Sequence, residues 1–127
     1  MHARWLLVPL AAAAALLAGC GHSARPAAAA TPVRHPAARC GSARTPANVP
    51  VTIEVATGTV ACADAMAIEK SYTAAVAQGH APGNGRGPVK VSGWTCQAFT
   101  TPVSLKTGRV SACYRGGTEI LAVLPAP

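Results

Sequence analysis

The sequence predicts an α+β domain: one helix packed on a small, mostly antiparallel sheet in the order β-α-β-β-β, closed by two disulfides. Three observations lead there. Val51-Thr52-Ile53-Glu54-Val55 alternates apolar and polar side chains and is rich in β-branched residues, the pattern of a half-buried strand. Ala61 to Gln78 is dominated by Ala with Met66, Glu69, Lys70 and Gln78, residues that lose little freedom in a helix. Arg109 to Tyr114 and Thr118 to Leu124 read as strands on either side of Gly116-Gly117, the composition of a tight hairpin turn.

The elements follow in order. Gly58 ends the first strand, Thr59 is the expected N-cap, and Asp64 falls in the first helical turn, where negative charge suits the helix dipole. Cys62, Ala65, Ile68 or Glu69, Tyr72 and Val76 share one helical face, and Gly79 is the expected stop. Residues 79–88, Gly-His-Ala-Pro-Gly-Asn-Gly-Arg-Gly-Pro, form an irregular loop by composition. Val89 to Ser92 starts a strand expected to continue through Trp94 and Cys96 to Phe99, with Gly93 marking a bulge. Thr100 to Gly108 reads as a connection. The expected core is Trp94, Phe99, Ile53, Val55, Val91, Ile120, Leu121, Val123, Leu124 and Tyr72; with so few aromatics each one counts heavily.

A domain of residues 48–127 is small enough to need covalent staples. Cys40, Cys62, Cys96 and Cys113 supply them and allow three pairings. Cys96–Cys113 is favoured because both lie on strands joined by one connection, and Cys40–Cys62 then ties the segment before the domain to the helix start. Cys62–Cys113, which would staple helix to sheet, stays open.

The N-terminal region has a different character. Arg4 precedes an apolar run from Trp5 to Leu17, shorter than the ~20 residues of a membrane-spanning helix. The run ends in Leu17-Ala18-Gly19-Cys20, which resembles the lipobox of bacterial lipoproteins. The resemblance implies a signal peptide over residues 1–19, a mature chain beginning at Cys20, and a diacylglyceryl group on the Cys20 sulfur. It also implies residence on the outer face of the bacterial cytoplasmic membrane. Two acyl chains meet the requirement for stable anchoring, which one chain does not. The remaining four cysteines are then an even set in an oxidising compartment.

Residues 20–47 carry Pro26, Pro32, Pro36 and Pro46 among Ala, Arg and Thr, the composition of a disordered tether. The chain holds 11 Lys and Arg against 4 acids, a net charge of +7. Arg25, Arg34, Arg39 and Arg44 lie in the tether, so the basic excess is concentrated there. An anionic lipid or wall surface attracts such a segment. The basic residues of the domain are scattered, which argues against nucleic acid as a partner.

The domain also looks like a layout found in small exported proteins of high-GC Gram-positive bacteria. The likeness rests on Cys40-Gly41, Val60-Ala61-Cys62-Ala63-Asp64-Ala65, Tyr72, Val91-Ser92-Gly93-Trp94-Thr95-Cys96 and Cys113. It concerns cysteines and core residues and carries no site.

Chemistry-bearing residues are sparse. Gly83-Asn84-Gly85-Arg86-Gly87 lacks the preceding strand, the following Lys-Ser/Thr and the helix start of a phosphate loop. His80 is the only histidine of the domain, and no metal-ligand spacing or nucleophile elbow is present, so neither a metal nor a cofactor is expected. Asp64 and Glu69 point to different sides of the helix; Asp64 serves its N-terminus and Glu69 is read as a solvated or partly covered surface charge. Trp94 reads as core. The expectation is therefore a non-catalytic, lipid-anchored binding module of the cell envelope, its partner an envelope protein or an anionic wall polymer. Arg86, Lys90 and Lys106, on or beside the two long loops, are the candidate contacts. The alternative is an inhibitor of an extracellular hydrolase that presents Thr100 to Lys106, with Pro102, as a rigid loop.

Overall fold

The computed structural model describes residues 37–127. The expected signal peptide (1–19), the lipidation site Cys20 and the tether up to residue 36 lie outside the described residues. From Ala38 the chain runs β1 (Ala38–Arg44), β2 (Pro50–Thr57), α1 (Cys62–Ala77), α2 (Pro82–Gly85), β3 (Val89–Val91), β4 (Trp94–Ala98), α3 (Thr101–Thr107), β5 (Arg109–Arg115) and β6 (Thr118–Val123). The class is α+β, as the sequence indicates, with one antiparallel sheet of six strands in the order β1-β2-β6-β5-β4-β3. The element order differs from β-α-β-β-β in four places; the least of them is α2, a single short turn within the expected loop 79–88 that starts on Pro82 and turns left-handed at Gly83 and Asn84.

Residues 38–44, given to the tether by composition, are the edge strand β1. Ala-Arg-Cys-Gly-Ser-Ala-Arg has little strand propensity of its own. The β2 edge supplies the hydrogen-bonding partner, Cys40 is tied to Cys62, and Arg39 pairs with Glu54 directly across the ladder at 3.3 Å. Residues 101–107, expected as a connection, form α3. Pro102 sits in its first turn and Gly108 follows its end in the left-handed conformation, a start-and-stop asymmetry that the β-branched composition hides. The expected single strand from Val89 to Phe99 is a hairpin. Ser92 (φ 49°) and Gly93 (φ 80°) are both left-handed, as a type I′ turn requires, and Val91 faces Trp94 across it. Gly93 is a turn residue rather than a bulge.

Helix α1 starts one residue later than expected and is capped by Ala61 without a side-chain hydrogen bond, so Thr59 is not its N-cap. Its buried stripe is Ala65, Ile68, Glu69 and Tyr72, the predicted face. The sheet presents Val51, Ile53 and Val55 from β2, Ile120 and Ala122 from β6, Cys113 from β5, and Cys96 and Trp94 from β4 to this stripe. Trp94 is 1 % exposed, so its aromatic surface goes to the core as the sequence suggests. Phe99, Val123 and Leu124 are only half-buried. Both edge strands, β1 and β3, touch α1, so the sheet curls around the helix.

Two disulfides hold this curl, in the favoured pairing. Cys96–Cys113 joins register partners on β4 and β5 (Cα–Cα 4.0 Å) inside the core. Cys40–Cys62 joins the edge strand to the first residue of α1 (Cα–Cα 4.9 Å).

Gly58, just after β2, has φ +71°, and a Cβ there would lie 2.4 Å from Thr118 Oγ1 and 2.8 Å from the Thr118 Cα. Gly93 has a similar φ of +80° with open space around it. Left-handed backbone costs a non-glycine residue about 1–2 kcal/mol in either position. Gly58→Ala is therefore expected to lower the urea midpoint clearly more than Gly93→Ala, because only the former adds a backbone clash on β6.

Candidate functional site

Helix α1 runs from the Cys40–Cys62 staple toward the opposite end of the sheet. There the concave side opens into a groove of about 380 Å³. The β1–β2 turn (Thr45, Pro46, Ala47, Val49) forms one bank, α3 (Thr101, Ser104, Leu105) the other. Tyr72 and Val76 of α1, with Ala98, Val110 and Leu124 of the sheet end, supply most of the rest. The lining is largely apolar. Leu105 lies on the rim and is 77 % exposed. The half-burial of Phe99 and Leu124 is explained here: they face the groove rather than the closed core.

One acid stands among these walls. Glu69 is 3 % exposed, and it also borders a second cavity of about 350 Å³ between α1 and β1, next to Ala43, Met66 and Thr73. The surface-charge reading of Glu69 is corrected by the curl of the sheet. Ile68 and Glu69 sit side by side on α1, and a sheet that reaches the helix from both edges covers both. Ser111 Oγ donates a hydrogen bond to Glu69 Oε1 at 3.3 Å and is itself buried. Burial pushes the Glu69 carboxyl up to about 7, and the Ser111 hydrogen bond only partly opposes this. The neighbouring Tyr72 is pushed up to about 12, by burial first and by the Glu69 charge second.

No cation neutralises Glu69 among the described residues, where the ion pairs are Arg39–Glu54 and Arg109–Glu119. Arg44 borders the second cavity, yet its Nη1 is bound to Asn48 O (3.0 Å) and Oδ1 (3.3 Å). Lys70 is exposed on the same helix, and Arg86 is exposed at the groove mouth.

The candidate contacts named from sequence are not gathered at one point. Arg86 lines the groove; Lys106 is exposed on α3; Lys90 is exposed on the edge strand β3 and is not part of the lining. Gly83 and Asn84 of α2 wind left-handed and lead into β3, so this glycine-rich loop offers no helix start to a phosphate. Thr101–Thr107 is helical, so the segment considered as an inhibitory loop is not extended. Among the described residues no three His, Cys, Asp or Glu converge as metal ligands, and no helix is long and apolar enough to cross a membrane.

At the margins of the core and the groove Arg109 stacks over Phe99 (4.8 Å to the ring centroid) and pairs with Glu119, while Arg115 lies over Trp94 at 4.5 Å. The Tyr114 hydroxyl beside them is raised, first by burial and then by Glu119, against the lowering effect of Arg109. These contacts cover the sheet with paired charges and stacked guanidinium groups.

Comparison with known protein families, with curated proteins and with solved structures found no match. The functional reading therefore rests on the groove itself.

Glu69 gives a pH signature. Below its ordinary value of 4.5 both folded and unfolded chains hold the proton, and the residue is silent. Between 4.5 and about 7 the folded state keeps a proton that the unfolded state releases, so stability falls as pH rises. Above that window the cost is complete, on the order of 3 kcal/mol. Glu69→Gln is expected to be more stable than the parent at pH about 8 and to lose most of that advantage by pH about 4.5, read as the difference between urea curves.

Proposed function

We propose that this chain is a non-catalytic binding module of the bacterial cell envelope, anchored by lipid on Cys20, and that its groove takes a small, mostly apolar molecule. The observation that carries the reading is the groove: an open concavity of about 380 Å³, apolar in its walls, with a few polar groups converging on it. That is the size and character of a small-molecule site. A domain with a small core has no packing reason to leave Leu105 and the Pro46–Val49 bank uncovered beside it.

The position of the groove suits an anchored protein. The tether enters the fold at Ala38, the first residue of β1, and the β1–β2 turn that forms one bank lies at the other end of that strand. Seven residues of strand place the two roughly 20 Å apart. The groove bank therefore lies at the far end of β1 from Ala38. The inventory of side chains supports binding rather than turnover: Glu69 and Ser111 are a buried acid and hydroxyl, and among the described residues no histidine or second acid lines the groove beside them.

Two measurements test this reading. The mature protein isolated from its native envelope is expected to begin at Cys20 and to carry the mass of a diacylglyceryl group; an unmodified N-terminus elsewhere rejects the anchor. The full mature chain carrying Cys20→Ser, which removes any competing lipid, is expected to enhance the fluorescence of the uncharged apolar dye N-phenyl-1-naphthylamine. Ser104→Trp, which fills the groove from α3, is expected to weaken that binding about tenfold or more. Equal binding by both proteins removes the groove from the proposal.

A further inference from the structure

The groove contains one feature that an apolar site does not need. A carboxyl at 3 % exposure with a single, long hydrogen bond is an expensive group to keep in a small fold. Glutamine or methionine would fill the same space on α1 at less cost. A buried acid with a displaced titration that lines a cleft is a candidate binding position. Among the described residues the nearby cations are engaged elsewhere or exposed to solvent. Arg44, from β1, is bound to the β1–β2 turn; Lys70, on α1, is solvated; Arg86, after α2, stands at the mouth. The other groups that face Glu69 are the Ser111 hydroxyl of β5 and the Tyr72 phenol of α1, and neither carries positive charge.

We infer that the occupant of the groove is an apolar molecule bearing one amine, whose ammonium group is received by the Glu69 carboxylate while its hydrocarbon part lies along Val76, Phe99, Leu105 and Leu124. This deepens the groove reading and rests on it. The charge complementarity is specific. An ammonium group brings the donors and the positive charge that Glu69 lacks, and a charge-assisted hydrogen bond in a dry site is the strong kind. An anionic head would meet repulsion from the ionised acid. A neutral head would leave the acid as unpaired as it is in the free protein.

Binding of an ammonium ion requires Glu69 to give up its proton, so affinity rises with pH through the region near 7 and levels off above it. The test uses the chain with Cys20→Ser and two probes of equal length, n-octylamine and n-octanol, titrated by calorimetry at pH about 5.5 and about 8.5. Octylamine stays cationic throughout, so the pH dependence reports on the protein. The expected result is octylamine binding at least about tenfold tighter at the higher pH, and tighter than octanol there, with octanol insensitive to pH. In Glu69→Gln the preference for the amine and its pH dependence are both expected to vanish, while octanol and N-phenyl-1-naphthylamine still bind and so report an intact groove. Equal binding of amine and alcohol, or an amine preference that survives Glu69→Gln, overturns the amine inference and leaves the groove standing. Failure of octanol, octylamine and the dye together overturns both.

Discussion

The structure depends on one arrangement, a six-stranded antiparallel sheet curled so far around α1 that both of its edges touch the helix. The helix can be enclosed this way because its buried stripe includes Ala65, 0 % exposed and with only a methyl group to accommodate, while Ile68 and Tyr72 supply bulk to the same core. Enclosure gives a short chain a core it would not reach with a flat sheet. It also has to be held, because β1 and β3 are edge strands, each paired with a neighbour on one side only. Cys40–Cys62 pins the β1 edge to the start of the helix, and Cys96–Cys113 locks the β4–β5 pair against the buried face of Trp94.

The same curl creates the site. At the end of the sheet away from the Cys40–Cys62 staple the core gives way to the groove, with the short helix α3 and the β1–β2 turn as its banks. None of the α3 residues is buried, so α3 bounds the groove without filling it. Glu69 belongs to the enclosed stripe by helical geometry, one position from Ile68, and it meets the point where the packed core gives way to the groove. Its raised carboxyl, the Ser111 hydroxyl and the raised Tyr72 phenol are consequences of that position.

Much of the scaffold was legible in the chain. The alternation of 51–55, the alanine-rich run of 61–78 and the Gly116-Gly117 turn each correspond to an observed element, and the spacing of Ala65, Ile68 and Tyr72 identified the buried face of α1. The favoured cysteine pairing is the observed one, although spacing alone left Cys62–Cys113 open. What failed had weak local signals. β1 has the composition of the tether that precedes it and is a strand only because β2 offers an edge. Ser92-Gly93 carried a turn signal that a run of β-formers on both sides obscured. α3 showed its Pro and Gly boundary marks without any apolar stripe to announce a helix.

The site was the least legible part, and Glu69 shows why. In sequence it is an acid on an alanine-rich helix, next to Lys70, and a solvated face is the natural reading. Whether such a side chain meets water depends on how far the sheet curls, which is set by strands distant along the chain. The sequence by itself determined helix α1, its apolar stripe and the strands β2, β5 and β6, because each follows from local spacing and side-chain type. The tertiary structure alone decided that a carboxyl would be shut away from water beside an open groove, because burial is a property of what packs around a residue.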